Sequence, residues 1–189
     1  TATVSVSAVL GSGDSGGITY GTMAYLPSTG HYYFYDNRDT TVYWETAFCM
    51  ARYNYYATGS STPVINNDAN AFNYASGSCT ANAGYTRSDR TFNGMIGYLA
   101  TSTSQSENDF IYGKVGGSAS WLAGGDMTTE GTWQWVAGPE VGTTFWKSGV
   151  SGCSQGLRGT CTPVPGLPAQ FSYWRNGEPN DWFGEDALE

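Results

Sequence analysis

"WRNGEPNDWFGEDALE", residues 174–189, carries five carboxylates (Glu178, Asp181, Glu185, Asp186 and Glu189) against a single base, Arg175. Like charges crowded into one loop repel one another, so such a run calls for a counter-charge or open water. A second acidic loop lies upstream: "GGDMTTEG", residues 124–131, contributes Asp126 and Glu130. Both stretches fall between strand-like segments, not along helices. Together they offer Asp126, Glu130, Glu178, Asn180, Asp181, Glu185 and Asp186 as oxygen ligands. Calcium accepts about six to eight oxygens at about 2.3–2.6 Å and tolerates irregular geometry. Magnesium keeps more water, and zinc favours His and Cys. The chain has one His and no C-x2-C pair. Ca2+ is therefore the metal these residues select, and the loops are expected to be poorly ordered without it. The alternative is a solvated acidic surface that holds no ion.

The rest of the composition narrows the function classes. The chain has 189 residues, room for one domain with an appendage. With 40% hydrophobic and only 13% charged residues, plus 7 Trp, 14 Tyr and 8 Phe, it is built to fold. A net charge of −8 argues against nucleic acid and anionic membranes as partners. There is no apolar run of the roughly 18–20 residues a transmembrane helix requires. The first residue is Thr1 and no secretory leader is visible, which reads as a processed chain or an excised part of a longer one.

Four cysteines, Cys49, Cys79, Cys153 and Cys161, in a chain poor in lysine suggest an oxidising, extracellular or cell-surface setting. The short spacing favours a Cys153–Cys161 bridge through Gly156 and Gly159, which leaves Cys49–Cys79 as the other. Free buried thiols are the competing reading.

Along the chain, "VSVSAV" (4–9) alternates as a strand, and residues 1–29 read as a hairpin extension or the end of a preceding module. "GHYYFYDN" from Gly30 reads as a strand closed by Asp36 and Asn37. "TTVYWETAFCMARY" is a helix with Thr41 as its cap and Trp44, Ala47, Phe48 and Ala51 on one face. Residues 53–93 are polar and rich in Asn, Gly, Ser, Thr and Tyr. They read as an irregular insertion tied down by the Cys49–Cys79 bridge. "GYLAT" is a strand, and "SQSENDFIYGKVG" a second helix. Ser104 and Glu107 form its capping box, Phe110, Ile111 and Val115 its buried face, and Gly116 its end. "SWLAGGDMTTEGTWQWVAGPE" is strand, loop, strand, with Trp133 and Trp135 on one face. Residues 147–170 carry loop chemistry, and "FSYW" is a last strand. The order implies an α+β fold.

Several of these motifs, in this order, resemble the C-type lectin-like domain family, in particular its bacterial and marine extracellular members. The resemblance covers about residues 30–189. It rests on "YWETAFCMA", "GYLATSTSQSENDFI", "WLAGGDMTTEGTWQWVAGPE" and "FSYWRNGEPNDWFGED". It implies two helices, short antiparallel sheets and long calcium-binding loops. By position, it assigns Asp126, Glu130, Asp181, Glu185 and Asp186 to a structural calcium site. Glu178 and Asn180, the "EPN" residues, would hold a second calcium that also coordinates sugar hydroxyls, with Glu185 near both ions. "EPN" goes with mannose-type sugars in that family, and the Glu178–Pro179 bond is expected to be cis. Trp182 would offer an aromatic face to the sugar or serve as a packed loop anchor. The family's "WND" segment and final strand do not occur before Glu189, and Ala187 stands where many members have Cys. The sheet would then be completed by further chain, by a partner, or by the N-terminal strands.

The expected function is calcium-dependent binding of glycans or glycoproteins. The alternative is a calcium-stabilised lectin-like domain for protein binding, adhesion or self-assembly, with other copies of itself or a larger extracellular protein as partner. Catalysis is not expected. Glu178 and Glu185 could pair as in a glycosidase, but metal ligation explains them better, and His31 sits in an aromatic strand.

Overall fold

The computed structural model describes residues 4–9, 23–36, 42–74, 76–92 and 94–189. Among them the N-terminal half forms β1 (Val4–Val9), β2 (Ala24–Leu26), β3 (His31–Asp36), α1 (Trp44–Arg52) and β4 (Tyr53–Ala57). There follow β5 (Pro63–Val64), β6 (Phe72–Asn73), β7 (Ser78–Cys79), β8 (Tyr85–Asp89), β9 (Thr91–Phe92) and β10 (Met95–Leu99). The remainder is α2 (Gln105–Val115), β11 (Ser120–Trp121), β12 (Gly124–Gly125), β13 (Thr132–Trp135), β14 (Thr144–Lys147), β15 (Arg158–Cys161) and β16 (Gln170–Tyr173). Two helices among small, mostly antiparallel sheets make this an α+β protein.

The main sheet runs β2-β3-β1-β10-β9, with β11 pairing β1 in parallel. β1 therefore lies between β3 and β10, antiparallel to both. An N-terminal strand is thus an interior member of this sheet. The boundary expected at residue 30 does not interrupt the sheet, because β1 and β2 both hydrogen-bond to β3. Asn37 and the proposed cap Thr41 lie outside the described residues. The N-cap of α1 is Tyr43, with no side-chain hydrogen bond. Glu45 in its first turn and Arg52 in its last complement the helix dipole. Trp44, Ala47 and Ala51 are buried against Leu99 and Ala123, and Phe48 is half-buried beside them, so the helical spacing holds.

The 53–93 segment departs from its irregular reading. β4 pairs with β5 on one side and β8 on the other, and β6 pairs with β7. Tyr55 faces inward and is fully buried, while every residue of β8 is exposed. Polar composition hid this sheet because one of its strands is wet along its whole length. Cys49 and Cys79 are bridged, as are Cys153 and Cys161. Closing the larger loop stabilises the fold by about 3–4 kcal/mol on the chain-entropy account.

Only half of the expected capping box forms in α2. Ser104 Oγ accepts from the Glu107 amide, but the Glu107 carboxylate turns into the protein. It accepts from the Tyr33 hydroxyl and, at 2.7 Å each, from the Thr103 amide and hydroxyl. Burial and this carboxylate both push the Tyr33 hydroxyl well above its ordinary range. Gly116 ends α2 in the left-handed conformation, at φ 63°. A second core unites Trp133, Trp135, Phe145, Trp146 and Trp174 with the Cys153–Cys161 bridge. Replacing Glu107 with Ala removes the acceptor of the Thr103 amide and the shortest contact of the Tyr33 hydroxyl, which keeps Thr29 Oγ1 at 3.2 Å. It should lower unfolding free energy by about 2–4 kcal/mol in urea titration with both disulfides intact. A loss well under 1 kcal/mol would show that the carboxylate does not organise the α2–β3 contact.

Candidate functional site

Two adjacent glycines bring the acidic loops together. The 186–188 segment lies along β12: Gly125 bridges to Ala187, and the Leu188 amide donates to Gly124 O at 2.9 Å. The Leu122 amide donates to Leu188 O at 2.9 Å, and the Asp126 amide to Asp186 O at 3.1 Å. Side chains on β12 would block this seam. A Cβ at Gly124 would stand 2.8 Å from Leu188 Cδ2, and one at Gly125 2.7 Å from Asp186 O. Real Cβ atoms do not approach so closely, so glycine is required at 125, where the obstacle is backbone, while a side chain at 124 would force Leu188 to shift.

The seam sets Asp186 beside Asp126. The Gly131 amide donates to Asp126 Oδ2 at 2.9 Å and to Glu130 Oε1 at 3.1 Å, which gathers these two carboxylates as well. Asp126 is 3% exposed, and its Oδ1 is buried with no hydrogen-bond partner. Burial first, then the charges of Glu130 and Asp186, push its carboxyl up to about 6, against the opposing hydrogen bond from Gly131. A buried carboxylate oxygen without a donor, flanked by two more acids, is poorly satisfied by protein alone. The donor set, hard oxygens held on loops, suits Ca2+.

The second group surrounds Pro179, whose bond to Glu178 is cis. Asn180 Nδ2 donates to Glu178 Oε1 at 2.8 Å, and the Asn180 amide to Glu178 Oε2 at 3.2 Å. Asn180 Oδ1 in turn accepts from the Trp182 amide at 2.7 Å. The disulfide loop buttresses this segment: the Gly156 amide donates to Glu178 O at 2.6 Å, and Gln155 Nε2 to Pro179 O at 2.8 Å. Glu178, Asn180, Asp181, Glu185 and Asp186 line one cleft of about 380 Å³, together with Trp121, Trp133, Tyr173 and Trp174.

The two sets do not close into a single cage. Among the described residues, no three Asp, Glu, His or Cys side chains converge as a group able to hold a metal ion. Glu178 and Asn180 spend their polar atoms on each other and on Trp182. Trp182 is 67% exposed, outside the cleft, with its ring 5.2 Å from that of Phe183. It is therefore not a packed anchor. Sequence reasoning overlooked Gly124, Gly125 and the buttress from Gln155 and Gly156. A glycine pair where a strand should begin was the available signal for the first two.

Comparison with known proteins adds one relative. The chain is 36% identical over 98 residues to Halomucin of Haloquadratum walsbyi (strain DSM 16790 / HBSQ001), a stretch that is 52% of this chain and 1% of that protein. The chain thus spans a very small part of the relative it matches. No family model and no solved structure matches it. Its two disulfides are compatible with an extracellular or surface location. No helix among the described residues is long and apolar enough to cross a membrane.

Because the raised Asp126 carboxyl holds its proton more tightly folded than unfolded, its ionisation opposes folding. In metal-free buffer this penalty is absent below about pH 4, grows as pH rises, and is complete above its folded value of about 6. Asp126→Asn removes it. The stability of Asp126→Asn relative to the parent chain should therefore rise between pH 4 and pH 7 in chelator, read by thermal melts. A difference that is flat or falls with pH would contradict the burial of that carboxyl.

Proposed function

We propose that the chain is a calcium-dependent carbohydrate-binding module with a C-type lectin-like fold, acting at an extracellular or surface location on glycans or glycoproteins. The observation that carries this reading is the buried, partnerless Oδ1 of Asp126, held by the glycine seam next to Glu130 and Asp186. Asp126, Glu130, Asp181, Glu185 and Asp186 would hold a structural ion. Glu178 and Asn180, with Glu185, would hold an ion that meets the sugar. Bound Ca2+ supplies positive charge and open coordination positions to two neighbouring equatorial hydroxyls of a mannose-type sugar. Glu178 would accept hydrogen bonds from those hydroxyls and Asn180 would donate to them, exchanging their mutual contact for the ligand. Trp182 offers a nearby aromatic face. The reading assigns no catalytic residue, since the carboxylates serve as ligands.

A second reading is a calcium-stabilised domain for protein binding, adhesion or self-assembly without sugar. It is favoured by the satisfied Glu178–Asn180 pair, which needs no ion to hold its shape.

Calcium titration followed by glycan binding separates the two. Under the first reading Ca2+ raises Tm, Asp126→Asn abolishes the rise, and mannosides bind only with Ca2+ present. Glu178→Gln with Asn180→Asp then turns preference toward galactosides. A Tm that rises with Ca2+ while no mannoside binds selects the second reading. Absence of any Ca2+ uptake at millimolar concentration refutes both.

A further inference from the structure

Beyond the aromatic face that Trp182 offers a sugar, two features of the molecule point to a partner. The first is an aromatic knob. Trp182 is 67% and Phe183 91% exposed, their rings 5.2 Å apart. Asp181 and Phe183 take positive φ of 55° and 61°, a conformation few non-glycine residues adopt. Large adjacent aromatics left in water mark an interaction surface more often than an accident. The second is a cavity of about 390 Å³ between α2 and β16, with Ile111, Val115, Leu122, Phe145 and Leu188 among its apolar lining. Neither ring of the knob lines this cavity within its own chain.

The charges around the two features are complementary. Asp181 and Glu185 flank the knob in sequence, and both are exposed. Arg158 and Arg175 line the cavity, against the single carboxylate of Glu189. Both arginines are exposed, although Arg158 also donates to Trp174 O at 3.2 Å. These two account for a quarter of the eight Lys and Arg in a chain of net charge −8, so their placement beside the cavity creates a local exception to an acidic surface.

We infer that the chain self-associates, the Trp182–Phe183 knob of one copy entering the apolar cavity of another, with Asp181 and Glu185 facing Arg158 and Arg175. A protruding patch that fits a pocket elsewhere on the same molecule makes a heterologous contact, which can propagate from copy to copy. Aromatic and arginine anchors are the residue types that dominate such contacts. Two aromatics bury roughly 150–250 Å² each, well below the ~1,200 Å² of a stable interface. The contact is therefore weak and concentration-dependent, and it gains strength where many copies are held close together. Asp181 and Glu185 are also the residues proposed above as ion ligands, so the contact is sought without Ca2+, and it stands whether or not a sugar binds.

Sedimentation equilibrium in chelator, from micromolar to millimolar chain, tests it. The average mass of the parent chain should climb toward or past twice the monomer value. Phe183→Asn, which suits the positive φ, and Arg175→Glu should each remain monomeric across the range. An equimolar mixture of the two variants restores one knob and one cavity, so its average mass should rise again. A parent chain that stays monomeric at millimolar concentration overturns the inference. So does a Phe183→Asn chain that associates like the parent, or a mixture that stays monomeric.

Discussion

The contact of residues 186–188 with β12 is the constraint on which the site depends. It costs two side chains, because a Cβ at 125 would meet the Asp186 backbone and one at 124 would meet the Leu188 and Phe145 side chains. In return it joins two acidic stretches about 60 positions apart in sequence and places Asp186 against Asp126. Without it, the 174–189 segment would be a solvated acidic loop and Asp126 a lone buried acid. With it, the charges of Glu130 and Asp186 bear on a carboxylate that is already desolvated, Asp126.

The rest of the second half supports that seam from below. Trp133, Trp135, Phe145, Trp146 and Trp174 pack into one aromatic core against the Cys153–Cys161 bridge. Trp135 and Phe145 stack at 4.2 Å, and Trp174 meets Trp133 edge-on at 4.9 Å. Leu188 packs on the same core, so the segment that carries the acids is anchored by an apolar residue near its end. The small disulfide loop then fixes the Glu178–Asn180 turn through Gly156 and Gln155. Acidic side chains are thus held by a scaffold whose stability is apolar and covalent, which lets them face one another without dispersing the fold.

Much of this was legible in the residues. Helical spacing placed α1 and α2, alternation placed β1 and β13, aromatic residues placed β3, and cysteine spacing gave the Cys153–Cys161 bridge and, by elimination, Cys49–Cys79. What stayed hidden has physical causes. The β4–β8 sheet reads as polar loop because β8 is wet on both faces and only Tyr55 of β4 is buried deeply. Glu107 looked like a capping residue, since a helix N-terminus and a buried tyrosine both attract a carboxylate and only the tertiary fold decides between them. The acidic residues were visible as a cluster in the sequence, but their division between the Asp126 seam and the Pro179 turn depends on close approaches that a sequence does not express.

Amide hydrogen exchange at Leu122, Asp126 and Leu188, measured by NMR with and without Ca2+, tests the seam most directly. These three amides donate across it. The account predicts that they are protected in chelator, that Ca2+ slows all three further and together, and that Gly125→Val releases them together. Free exchange of the Leu188 and Asp126 amides in the parent chain, unchanged by Ca2+, would contradict it.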